Sequence, residues 1–258
     1  MRPSILVIVL LFLPSFAPAK DYSIGNRDVR ALAAAIEDAN QIAGPHRIRL
    51  HPGGIYTLQA VSKGNLGLPR LNNQIRIDGR GAEIRRYSDE RMTLIEVGDA
   101  GRVSLYNLTL AEGSLGAIRN RGELLLDGIS ITDSSSEQAR GIVLNYGRMR
   151  VKDSLFGYNR VTDHGRDCGV LINLGHLEIE NSEFMYNSLS RSQPAVAAGA
   201  VLNFGRLKAS NLTFSKNRVS DPSGALTYQA VVNLDSGSFQ GLEPGYVIDE
   251  RNDLSQLD

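Results

Sequence analysis

Apolar and polar residues alternate in short runs along most of the chain, and the runs return at a nearly constant interval. Gly116-Ala-Ile-Arg-Asn120, Gly141-Ile-Val-Leu-Asn145, Gly169-Val-Leu-Ile-Asn173, Gly199-Ala-Val-Leu-Asn203 and Gln229-Ala-Val-Val-Asn233 all end on asparagine, with the asparagines 25, 28, 30 and 30 residues apart. In the first four, glycine follows two positions later, at Gly122, Gly147, Gly175 and Gly205. A second run then aligns as Leu124, Met149, Leu177 and Leu207, as Leu126, Val151, Ile179 and Ala209, and as Ile131, Phe156, Phe184 and Phe214. Asn159, Asn187 and Asn217 close three of these runs. Looser turns precede them: Val103 to Leu110 matches Leu207 to Phe214, Ile75 to Gly79 lies one period earlier, and Ile48 to Leu50 with Ile55 to Leu58 reads as the opening strands.

Two-residue alternation within a period of 25 to 30 excludes a helical repeat, because Gly and Asn interrupt every helical window. Each coil has one apolar face and buries it only by stacking on its neighbours. The pattern therefore predicts an all-β fold, a single-stranded parallel β-helix (solenoid) of about seven coils, with Phe156, Phe184 and Phe214 stacked in its core. The recurring asparagines are expected at bends, bonded to one another along the stack. One segment breaks the pattern. Val29, Leu32, Ala33, Ile36 and Ala43 recur at helical spacing until Gly44-Pro45, which predicts one amphipathic helix covering the first coil. The chain thus divides into residues 1–19, 20–46 (the N-terminal capping α-helix), 47–237 (the solenoid) and 238–258 (a tail, acidic from Glu243, that either caps the last coil or marks an interaction end).

Residues 1–19 read as a signal peptide: Arg2, an unbroken apolar run from Ile5 to Leu13, and Ala17-Pro18-Ala19 before the cut. The run is too short to span a bilayer, so an exported chain, periplasmic or extracellular, is expected. The 28 basic and 28 acidic residues cancel, which argues against nucleic acid as a partner. The lone Cys168 excludes an internal disulfide framework. Two glycosylation-type triplets, at Asn107 and Asn211, fall within expected strands and read as coincidence.

Asp28 to Asn40, followed by Ile48 to Leu58, resembles the capping helix and first coil of the exported right-handed parallel β-helix (pectate-lyase-like) superfamily. The Asn-x-Gly repeats with later Phe and Asn are similar to polymorphic-outer-membrane-protein repeats. The resemblance spans roughly residues 26 to 235. It implies the fold and little about function, since such proteins include lyases, hydrolases, epimerases, adhesins and proteins without known activity.

Insertions between coils fall at Ser135 to Arg140, Arg160 to Cys168, Ser188 to Ala198 and Arg218 to Tyr228. In a solenoid they gather on one face, which becomes the expected binding surface. Its binding candidates are Glu137, Arg140, Arg160, Arg191, Arg218 and Tyr228. The densest group is Asp163-His164-Gly-Arg166-Asp167. A lyase acting on uronates needs a base, for which His164 is the candidate, and cations to hold the developing enolate, for which Arg166 and Arg160 serve. Asp163 and Asp167 would orient them or hold calcium, the one cofactor the sequence admits. A hydrolase would instead use two of Asp163, Asp167 and Glu137, about 5 to 9 Å apart. No histidine pair has metal-ligand spacing, so no metal site is expected. The expectation is binding of an extracellular or envelope polysaccharide, or of an envelope partner, without catalysis, with a polysaccharide lyase or glycoside hydrolase as the alternative.

Overall fold

A computed structural model describes residues 19–137, 141–163, 168–191, 197–220 and the short strands at 226–227, 229–233, 238–239 and 247–249. For residues 163 and 191, and for those beyond 220, the description is of the backbone alone. The chain forms a β-solenoid of about seven turns built on three sheets, with one short helix near its N-terminus. The largest sheet has eleven strands, the second seven, and the third, on the face that carries the inter-coil insertions, five. Successive coils contribute neighbouring parallel strands, in the registers that the sequence columns require. Met149 lies between Leu124 and Leu177, and Leu177 pairs with Leu207.

The core is one continuous column. Phe156 and Phe184 stack with ring centroids 4.5 Å apart, and Phe214 follows at 5.8 Å. At the corner between the seven-stranded and the large sheet runs the expected asparagine ladder. Asn120 Nδ2 donates to Asn145 Oδ1 at 2.8 Å, Asn145 to Asn173 at 2.7 Å, and Asn173 to Asn203 at 2.7 Å. The ladder starts at Asn120 because the preceding coil has Val97 in register, which leaves Asn120 Oδ1 buried without a donor. A second ladder, Asn159 to Asn187 to Asn217, follows the phenylalanine column. Both are fully buried, so each amide supplies the hydrogen bonds that water would otherwise make.

The glycine of Asn-x-Gly is required by stacking. A Cβ on Gly147, Gly175 or Gly205 would sit 2.1 Å from the carbonyl oxygen of the equivalent glycine one coil before. Any side chain there would force the turns apart.

Other features differ from the sequence reading. The second run of a coil is a strand of ten residues bent in its middle, such as Arg102–Ala111, Glu123–Thr132, His176–Met185 and Arg206–Ser215. A left-handed residue kinks each one: Asn107, Gly128, Asn181 or Asn211, with φ between 46° and 64°. Asn and Gly tolerate that conformation best. Asn107 and Asn211 therefore lie on strands, yet they are exposed at the kink. Asp78-Gly-Arg-Gly81 forms an irregularity inside the strand Gln74–Arg86. Asp78 is buried there between Arg47 and Arg76.

The helix α1, Val29–Gln41, begins where expected. Asp28 caps it by accepting from Ala31 N at 2.9 Å, and Leu32, Ala35, Ile36 and Ala39 are buried against the first coils.

Candidate functional site

The expected loop face divides between described and undescribed residues. Arg140, His164, Arg166, Asp167 and Tyr228 lie outside the described residues. Asp163 ends the strand Arg160–Asp163 with its backbone in register with Arg191. Arg160 and Arg218 are exposed and occupy one row of the five-stranded sheet, on either side of Ser188. Glu137 is exposed and sits 3.3 Å from Arg91, an ion pair the sequence did not suggest. The structure thus brings Arg160 and Arg218 onto one surface and places Glu137 beside a cation of its own. Cys168 is buried in the strand Cys168–Asn173. His176 stands exposed in the row of Arg148 and Arg206.

At the edge of this face a turn column carries Asp133, Tyr158, Tyr186 and Lys216, all at positive φ between 54° and 59°. The left-handed turn points these side chains outward. Tyr158 and Tyr186 are exposed and stack face to face at 5.0 Å, and Lys216 Nζ lies over the Tyr186 ring.

A second candidate surface lies elsewhere, on the outer face of the eleven-stranded sheet. A groove of about 740 Å³ crosses five successive strands of the sheet and is lined by Arg76, Arg102, Arg148, Arg150, Lys152 and Tyr106 among others. Five cationic side chains face two carboxylates, Glu123 and Asp127. Strand alternation turns every second residue outward, and the register stacks these residues into rows parallel to the solenoid axis. One row reads Gln74, Arg102, Glu123, Arg148, His176, Arg206. The next reads Arg76, Ser104, Leu125, Arg150, Glu178, Lys208.

Charge availability differs along the groove. Arg76 is held 2.6 Å from Asp78 and lies over the Tyr106 ring at 4.0 Å. Arg150 reaches Glu180 at 3.4 Å, and Lys152 lies 2.5 Å from the same carboxylate. The Lys152 hydrogen bond is the main reason the Glu180 carboxyl ionises below the usual range. Arg102 is 3.9 Å from Glu123, and Arg148 has no carboxylate within 4 Å among the described residues. Arg102 and Arg148 sit two strands apart, roughly 10 Å along the axis. They are the cations most able to accept a new anion. The sequence alignment of Leu124, Met149, Leu177 and Leu207 already contained this row one position earlier, but outward positions were not followed from coil to coil.

Among the described residues no group of three His, Cys, Asp or Glu side chains is arranged to hold a metal ion. No described helix is long and apolar enough to cross a membrane. The chain matches no protein-family model, no curated protein and no solved structure.

Proposed function

We propose that this protein is an exported β-solenoid that binds an acidic polysaccharide without cleaving it, along the outer face of its largest sheet. The observation that carries the reading is the groove itself: a long, open, cation-rich surface on which Arg102 and Arg148 stand two coils apart in one row. A linear polyanion presents carboxylates at regular intervals, and guanidinium groups pair with carboxylates through charge-assisted hydrogen bonds. A neutral overall charge keeps such binding local to the groove. Export rests on the leader-like residues 1–19. Kinship with the pectate-lyase-like superfamily rests on the parallel coils, the N-terminal helix and the asparagine columns. Relative to the sequence reading, the binding surface moves from the insertion face to the sheet face, where five cations converge.

The test is calorimetric titration of residues 20–258 with polygalacturonate, alginate and neutral dextran, alongside an assay for new unsaturated uronates. Binding of the two uronate polymers but not dextran is expected, with affinity falling as salt rises. The double variant Arg102→Ala, Arg148→Ala should weaken it by roughly tenfold or more, as two charge-assisted contacts are lost. Absence of uronate binding, or binding indifferent to that variant, would refute the reading. Unsaturated products would replace binding with lyase chemistry.

A further inference from the structure

The C-terminal end of the solenoid closes unevenly. In the seven-stranded sheet the last parallel strand, Gln229–Asn233, is covered by the antiparallel strand Val247–Asp249. In the five-stranded sheet the strand Arg218–Ser220 is covered by the antiparallel Leu226–Thr227. An antiparallel strand ends the stacking, because its side-chain rows no longer continue the repeat. Among the described residues the large sheet has no such antiparallel cover. Its last long strand, Arg206–Ser215, is paired beyond its own coil only at Arg206 and Leu207, by Ser238 and Phe239. Among the described residues nothing pairs with the far edge from Lys208 to Ser215.

Two further observations mark this edge. Ala209, Leu212 and Phe214 point into the core yet remain half-buried, whereas Ile179 and Phe184, one coil earlier, are buried. The end of the core is therefore partly uncovered along the strand whose edge is unpaired. The second mark is charge. The strand and the turn after it carry Arg206, Lys208, Lys216 and Arg218, with no acidic residue between Arg206 and Arg218.

Charge in this sheet alternates from coil to coil. Glu123 and Asp127 precede Arg148, Arg150 and Lys152, which precede Glu178, Glu180 and Glu183, which precede the basic last strand. The basic strand Arg148–Lys152 has acidic neighbours on both edges, and Arg150 and Lys152 form ion pairs with the strand that follows. Among the described residues the basic strand Arg206–Ser215 has an acidic neighbour on one edge alone. A second copy of the same edge would bring like charges together, so self-pairing is disfavoured.

We infer that the edge Lys208–Ser215 is a strand-accepting interface, and that its partner is an acidic β-strand of another polypeptide, added in parallel as the next rung of the large sheet. Main-chain hydrogen bonds to the open edge supply affinity. Carboxylates beside Arg206 and Lys208 supply selection, and an apolar residue over Leu212 and Phe214 completes the core. The inference is independent of the polysaccharide reading, which concerns the outward face and not the edge.

The strand His176–Met185 is already the acidic neighbour of this strand on its other edge, so its sequence, HLEIENSEFM, is the natural probe. The experiment is fluorescence anisotropy of the labelled, end-blocked peptide against the full chain, with RMRVKDSLFG (residues 148–157) as the basic control. Hydrogen exchange locates the bound peptide. The acidic peptide should bind at least tenfold more tightly than the basic one and slow exchange between Leu207 and Ser215. The variant Arg206→Glu, Lys208→Glu changes two exposed side chains and should reverse the preference. The groove variant Arg102→Ala, Arg148→Ala should leave peptide binding unchanged. Equal or absent binding of the two peptides, protection elsewhere, or an unreversed preference in the charge-swapped variant would overturn the inference.

Discussion

The two ends of this solenoid solve the same problem to different degrees. At the N-terminal end, α1 lays Leu32, Ala35, Ile36 and Ala39 over the core. The strand Asp21–Ser23 adds a parallel rung to His46–Arg49, and side chains close the remaining gaps. Asn26 Oδ1 accepts from Ile55 N, Asn73 Nδ2 donates to Ala39 O and Ile42 O, and Asp38 binds both Lys20 and Tyr22. At the other end Ala209, Leu212 and Phe214 are half-covered, and most of the last long strand has no described partner on its outer edge. A repeat makes every coil alike, so what happens at its ends must come from segments outside the repeat. Here the N-terminal segment covers the core with a helix and pairs the strand His46–Arg49, while at the far end the large sheet has no described partner from Lys208 to Ser215.

The sharpest way to break this comparison uses one residue type in one column. Phe184→Ala removes a fully buried ring and should cost about 3–5 kcal/mol, while Phe214→Ala at the half-covered end should cost roughly half as much. Urea unfolding followed by circular dichroism measures both, and equal costs would mean that the two positions are equally enclosed. Next in size are the ladder amides. Asn173→Ala deprives Asn203 Oδ1 of its Asn173 donor and leaves the Asn145 amide one acceptor short, at about 2–3 kcal/mol. Asn120→Ala removes the donor to Asn145, Gly122 and Arg148 but orphans no ladder amide, because Asn120 Oδ1 receives no hydrogen bond, and it should cost measurably less. Asp28→Ala removes the helix cap and should lower stability by about 1 kcal/mol, with the loss confined to the N-terminal end.

The smallest effect is in the N-terminal clamp. Hydrogen bonds from Lys20 and then Tyr22 hold the Asp38 carboxyl below its usual range. Its folded value lies below the unfolded one, so the contribution is present above about pH 4 and declines as acid protonates it. Burial, followed by the bond to Asp38, pushes the Tyr22 phenol up to about 12. That contribution is present below about pH 10 and disappears as the pH rises through 12. Ultraviolet titration of the wild type minus Tyr22→Phe should show one phenol ionising near 12. Ionisation near 10 would mean that the clamp is open.

The columns that set the fold were legible because each is a run of one chemical type at one spacing: asparagine at the corners, Phe156, Phe184 and Phe214 in the core, glycine where turn rests on turn. The helix was legible for the complementary reason, as the one stretch with a different period. The kinks at Asn107, Gly128, Asn181 and Asn211 were missed because Asn and Gly also mark ends of strands, and sequence alone does not distinguish a kink from a break. The groove was missed because its residues share position, not type. Gln74, Arg102, Glu123, Arg148, His176 and Arg206 form a row only once the register is known. The insertions, by contrast, stood out in sequence for their polar clusters. Yet Arg160 and Arg218 share their surface through strand register and not through sequence proximity.

The most direct measurement is native-state hydrogen exchange on the full chain, comparing the first coil with the last. Amides of His46–Arg49 should exchange as slowly as those of interior strands, since the strand Asp21–Ser23 pairs with them along its length. Outward-facing amides between Lys208 and Ser215 should exchange orders of magnitude faster. Protection of that strand equal to the first coil's would contradict an open C-terminal edge on the large sheet.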